Sequence, residues 1–138
     1  MSLKFAIAAG AALAFAIPSA AIAQETPEYI VSLYRAAPGQ QVALLKWMAQ
    51  QDRAAAAAGV APSQIYVHTS GDSWDYMVIN PVTTKAQDDA IDAAASKMGL
   101  ASGPRGGIQF RTMIASHTDT TTMGPSTAAQ ILARLGEK

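Results

Sequence analysis

The stretch IYVHTSGDSWDYMVI, residues 65–79, decides how this chain folds. Both of its ends are β-branched and aromatic, while Ser70-Gly71-Asp72-Ser73 in the middle is turn-forming by composition. Two such runs joined by four turn residues predict an antiparallel hairpin, Ile65–Thr69 with Trp74–Ile79. With that turn, Thr69 faces Trp74 and His68 faces Asp75. Tyr66 and Met77 then share the His68 face, and Ile65, Val67, Trp74, Tyr76 and Val78 share the other. With a turn one residue longer, His68 faces Trp74 and Tyr66 faces Tyr76. A slip of one residue reverses every side chain, and the sequence leaves both registers open.

Outward from the hairpin, the elements alternate. Tyr29–Tyr34 reads as a strand ended by Ala37-Pro38-Gly39. Gln40–Ala58 reads as a helix with Val42, Leu45 and Met48 on one stripe, Leu44 and Trp47 beside it, and Gly59 as its stop. After Asn80-Pro81, Thr84 with Gln87 three residues on matches a capping box, so a second helix is expected over Lys85–Met98, ended by Gly99. Asp88, Asp89 and Asp92 read as a solvated, dipole-favoured face of that helix. The run ASGPRGG, residues 101–107, reads as a loop, Phe110–His117 as a fourth strand continuing into Thr118–Thr122, and Ala128–Leu135 as a last short helix. The order β-α-β-β-α-β plus a helix implies one α+β domain. Its four-stranded antiparallel sheet carries helices on one face only, the ferredoxin-like arrangement.

The front of the chain reads as an export leader. Lys4 precedes the uninterrupted apolar run Phe5–Ile17, Pro18-Ser19 breaks it, and Ala21-Ile22-Ala23 fits a signal-peptidase site. The run falls short of the roughly 20 residues that span a bilayer. Residues 1–23 are therefore expected to be cleaved, leaving a single domain over residues 24–138 that is periplasmic or secreted, with no membrane attachment. The chain has no cysteine, which excludes a lipid-modified Cys anchor, disulfides, thiol nucleophiles and Cys-held metals. Ten basic residues balance ten acidic ones, so there is no basic footprint for nucleic acid.

The strand Tyr29–Tyr34 running into Arg35-Ala36-Ala37-Pro38-Gly39-Gln40, the Trp74–Ile79 strand and the helix after it resemble the dimeric α/β-barrel superfamily over about residues 28–118. That superfamily includes antibiotic-biosynthesis-type monooxygenases, muconolactone isomerase-like and chlorite dismutase-like proteins. The resemblance implies a homodimer in which two sheets face each other to close a barrel. It also keeps haem held by a single histidine, His68 or His117, among the alternatives.

Both histidines fall near the ends of expected strands. The densest polar-aromatic cluster is Tyr66, His68, Trp74, Asp75 and Tyr76. A carboxylate opposite an imidazole would fix its tautomer and raise its basicity. The leading expectation is an enzyme that acts on a small apolar or aromatic compound without metal or organic cofactor, by isomerisation, elimination or cofactor-free oxygenation. His68 would be the base, Asp75 its orienting partner, and Tyr66, Tyr76 or Arg35 the donors to developing negative charge. Trp74, Arg111 and His117 would contact substrate, Arg111 sharing strand parity with His117. The alternative is a non-catalytic binding or accessory protein. No metal-ligand spacing, nucleophile elbow or phosphate loop is present.

Overall fold

Tyr29–Tyr34 lie within the first strand, β1 (Glu28–Ala36), which runs through the middle of the sheet. The computed structural model describes residues 26–137, and the segment read as an export leader lies outside them. Helix α1 (Gln41–Ala57) follows, then β2 (Gln64–Val67) and β3 (Tyr76–Pro81), α2 (Lys85–Lys97), α3 (Gly103–Arg111), β4 (Ile114–Met123) and α4 (Ala128–Leu135). The sheet is antiparallel with strand order β2-β3-β1-β4.

Alternation along the paired strands sorts the side chains onto two faces. Ser32, Tyr34, Ile65, Tyr76, Val78, His117 and Asp119 share one face through the pairs Tyr34↔Tyr76, Tyr34↔His117, Ser32↔Val78, Ser32↔Asp119 and Ile65↔Val78. The core forms on this side, where Leu44 and Met48 of α1 pack with Tyr76, Val78, Ala36 and Met113. Leu44 is completely inaccessible to solvent. Burying a leucine to that degree contributes about 1.5–3 kcal/mol. The buried stripe of α1 runs through Leu44 and Met48, whereas Val42, expected on it, is exposed.

Thr84 caps α2 as expected: its hydroxyl accepts the Gln87 N–H at 3.3 Å, and its own N–H donates to Gln87 Oε1 at 2.9 Å. Gly59 and Gly99 take positive φ just beyond α1 and α2, the left-handed position where a glycine ends a helix without strain. Helix α2 buries only Ala95 and lies along α1, where alanines of both helices come together.

One element departs from the sequence reading. Residues 103–111 form a helix, whereas 101–107 were expected as a loop and Phe110 and Arg111 as strand. Glycines in this segment argue against a helix by propensity, but local and tertiary features favour it. Ser102 supplies an extended N-cap position and Pro104 fits the first turn. Gly106 is buried against the Ala101 carbonyl, where a Cβ would meet oxygen at 2.8 Å. Phe110 then lands on Trp47, with ring centroids 4.9 Å apart.

The second sheet face carries Tyr29, Val31, Leu33, Tyr66, Met77 and Ile79, together with Thr118, Thr120 and Thr122. None of these is fully buried, since the core helices lie on the other side. Among the described residues no helix is long and apolar enough to cross a membrane.

Candidate functional site

The hairpin adopts the register in which His68 faces Asp75. The ladder pairs Val67↔Tyr76 and Tyr66↔Met77, and the His68 N–H donates to the Asp75 carbonyl at 3.0 Å. Both strands are shifted away from the turn, β2 ending at Val67 rather than Thr69 and β3 beginning at Tyr76 rather than Trp74, so His68, Trp74 and Asp75 sit beyond the ladder. Freed from strand alternation, Trp74 turns onto the His68 ring with centroids 5.0 Å apart.

The side-chain relay expected between His68 and Asp75 is not made. Asp75 Oδ2 instead accepts the Ala36 N–H at 2.7 Å. That donor needs a partner, because the β1–β4 register shifts between Arg35 and Ala36 and Ala36 is buried. His68 Nε2 is buried with no hydrogen-bond partner among the described residues. Tyr76 points the other way from Tyr66, into the core, and its hydroxyl donates to the Gln41 carbonyl at 3.3 Å. Burial, then the charge of Asp75, holds the Tyr76 phenol above its ordinary pKa. Tyr66 stays on the open face, donating to Gln64 Oε1 at 3.4 Å. Arg35 is exposed across from Ser116, with no ion pair among the described residues. The cluster expected around His68 is therefore divided between the two sides of the sheet.

Arg111 is likewise displaced. It lies exposed in the last turn of α3, so it has no strand parity with His117. His117 keeps its place on β4 and gathers partners that the sequence did not suggest. Its ring stacks on Tyr34, with centroids 5.9 Å apart and planes at 17°, and Phe110 meets both rings edge-on at 5.5 and 5.7 Å. Trp47 completes the group from α1, and its Nε1 is buried without a partner among the described residues. Asp119 lies 3.4 Å from His117 Nε2. Burial raises the Tyr34 phenol above its ordinary pKa; the Ser32 hydroxyl pulls against this and the Asp119 charge adds to it. Phe110 was hidden by the strand reading of its segment, while Tyr34 and Asp119 had a signal available in their shared parity with Ser32 and His117.

On the opposite face a groove of about 430 Å³ crosses all four strands at one end of the sheet. Gln64 and Tyr66 come from β2, Ile79 from β3, Tyr29 and Val31 from β1, and Thr122 and Met123 from β4, with Gly124 and Pro125 as a wall. No charged side chain lines it. The groove exists because this face has apolar side chains and no helix layer over them. Among the described residues no group of three or more His, Asp or Glu could hold a metal ion.

An antiparallel sheet ordered β2-β3-β1-β4, with its core helices on one face, defines the ferredoxin-like class of α+β proteins. No protein-family model matches the chain, and no curated protein does. Among solved structures, the crystal structure of PA3566 from Pseudomonas aeruginosa is similar at 16% identity and a TM-score of 0.44, over 73% of this chain and 96% of that one. A dimeric ferredoxin-like protein from an uncultured marine organism is similar at 9% identity and a TM-score of 0.46, over 75% of this chain and 91% of that one.

Proposed function

We propose that this is an exported small-molecule-binding protein of the dimeric α/β-barrel type, which holds an apolar or aromatic compound in the open-face groove while a second copy covers that face. The observation that carries the reading is the groove itself. Its volume of about 430 Å³ falls within the range of small-molecule sites, roughly 300–1,000 Å³. Tyr29, Val31, Ile79 and Met123 offer apolar area, and Gln64, Tyr66 and Thr122 offer a few polar groups for orientation. With no histidine or carboxylate lining it, the groove is suited to binding and positioning rather than proton transfer. Closure by a second copy would remove the apolar face from water, which favours association.

The test is equilibrium binding of 1-naphthol to the purified chain. Ile79→Trp, which fills the groove from its floor, should weaken binding by about tenfold or more, equivalent to about 1.4 kcal/mol. His68→Ala should leave it unchanged. Equal affinity in wild type and Ile79→Trp contradicts the reading.

A second, catalytic reading is favoured by the 3.4 Å contact of His117 with Asp119 beside the half-buried Tyr34 phenol. It moves acid–base chemistry from His68 to the helix side of the sheet. Turnover of a naphthol that is lost in His117→Gln but kept in His68→Ala supports it, and turnover unaffected by His117→Gln removes it.

A further inference from the structure

Helix α4 is attached to its own domain by the wrong side. Surface helices bury their apolar stripe and leave their polar side in water; here the polar side is the one tied down. Arg134 Nη1 donates to Thr26 Oγ1 at 3.0 Å and Nη2 to Ser126 Oγ at 2.6 Å. Gln130 closes the capping box with Thr127 on that same side. At about 100° per residue, Ala128, Ile131, Leu132 and Leu135 fall on the opposite side. Ile131, Leu132 and Leu135 are 47%, 46% and 71% exposed.

The same chain carries a second apolar surface without a cover, the open-face groove. Two matches link them. Eight helical residues extend about 12 Å, and a groove that crosses four strands is about 14 Å wide at the usual strand spacing. Neither the stripe nor the groove lining has a charged residue. Tied through Arg134 to Thr26 and Ser126, the helix leaves this stripe exposed rather than packed on its own domain.

We propose that α4 is an exchange arm: its stripe of Ile131, Leu132 and Leu135 seats in the open-face groove of a second copy of this chain, whose α4 does the same in return. A two-fold axis makes the exchange reciprocal, so one geometry buries both surfaces on both copies. The partner's helix would then form the lid over any ligand in the groove. The inference rests on reading the open face as the functional, dimer-covered face.

The absence of native cysteine makes the test clean. An affinity-tagged Leu135→Cys chain is mixed with an untagged Tyr66→Cys chain and oxidised, with no small molecule present. The expected product is the covalent heterodimer of the two variants. By sedimentation, wild type should be a dimer at micromolar concentration, and Leu132→Asp/Leu135→Asp a monomer with unchanged circular dichroism. A monomeric wild type overturns the proposal. So does a dimer that survives the double substitution, or Leu135→Cys cross-linking to itself in preference to Tyr66→Cys. Because no ligand is present, such a failure rejects the arm and leaves groove binding to the naphthol titration.

Discussion

Asp75 and Ala36 are joined by a hydrogen bond of 2.7 Å from backbone N–H to carboxylate, across 39 residues of sequence. The bond fastens the turn end of the hairpin to β1 where the β1–β4 register shifts. Asp75→Ala leaves a buried N–H without an acceptor, at a cost of about 1–3 kcal/mol. Asp75→Asn keeps a neutral acceptor and should cost less. Urea unfolding of both variants checks the order, and equal losses would mean that the carboxylate is not bonded there. His68→Ala is expected to leave naphthol binding intact because His68 does not line the groove.

Two neighbouring glycines in α3 should respond with opposite signs. A Cβ on Gly106 would sit 2.8 Å from the Ala101 carbonyl oxygen, while one on Gly107 meets nothing within 4 Å. Gly106→Ala forces backbone apart and should destabilise by about 1–3 kcal/mol. Gly107→Ala replaces a flexible helical residue and should stabilise by up to about 1 kcal/mol. Thermal unfolding of the pair checks the helix assignment directly, since in a loop or strand this contrast has no reason to appear.

Tyrosine ionisation gives a pH signature. Tyr34 and Tyr76 are both raised above the ordinary 10.0, each chiefly by burial. The folded chain therefore holds those two protons more tightly than the unfolded chain does. Their contribution to stability is fully present below the unfolded value and is lost as pH rises through the folded ones, so stability should fall on the alkaline side of 10. Phenolate absorbance should show Tyr34 and Tyr76, assigned by Tyr34→Phe and Tyr76→Phe, ionising later in the native protein than in urea. Tyr34 and Tyr76 ionising at the same pH in the native protein as in urea would contradict their desolvation in the fold.

Legibility from sequence followed the strength of local chemistry. Thr84 with Gln87, and Gly59 and Gly99 beyond their helices, marked elements by hydrogen-bonding and backbone rules that hold wherever they occur. The hairpin was legible as a hairpin. Its register depended on where the ladder stopped, which Asp75 settled by bonding to a strand distant in sequence. Gly103–Arg111 was misread because its helix is held by Phe110 packing on Trp47 and by the close approach at Gly106, neither of which is a local property. The His68 cluster failed for a related reason. Side chains adjacent in sequence on a strand point to opposite faces, so density along the chain did not become density in space. The groove draws on every strand of the sheet, and only the assembled order brings Gln64 and Met123 to one surface.

Backbone amide NMR of the uniformly labelled chain, titrated with 1-naphthol, reads out whether the ligand sits on the open sheet face. The largest shift changes are expected at Tyr29, Val31, Tyr66, Ile79 and Thr122, with Tyr34, Phe110 and His117 little affected. Saturable changes confined to Tyr34, Phe110 and His117, or no saturable change anywhere, would contradict the account.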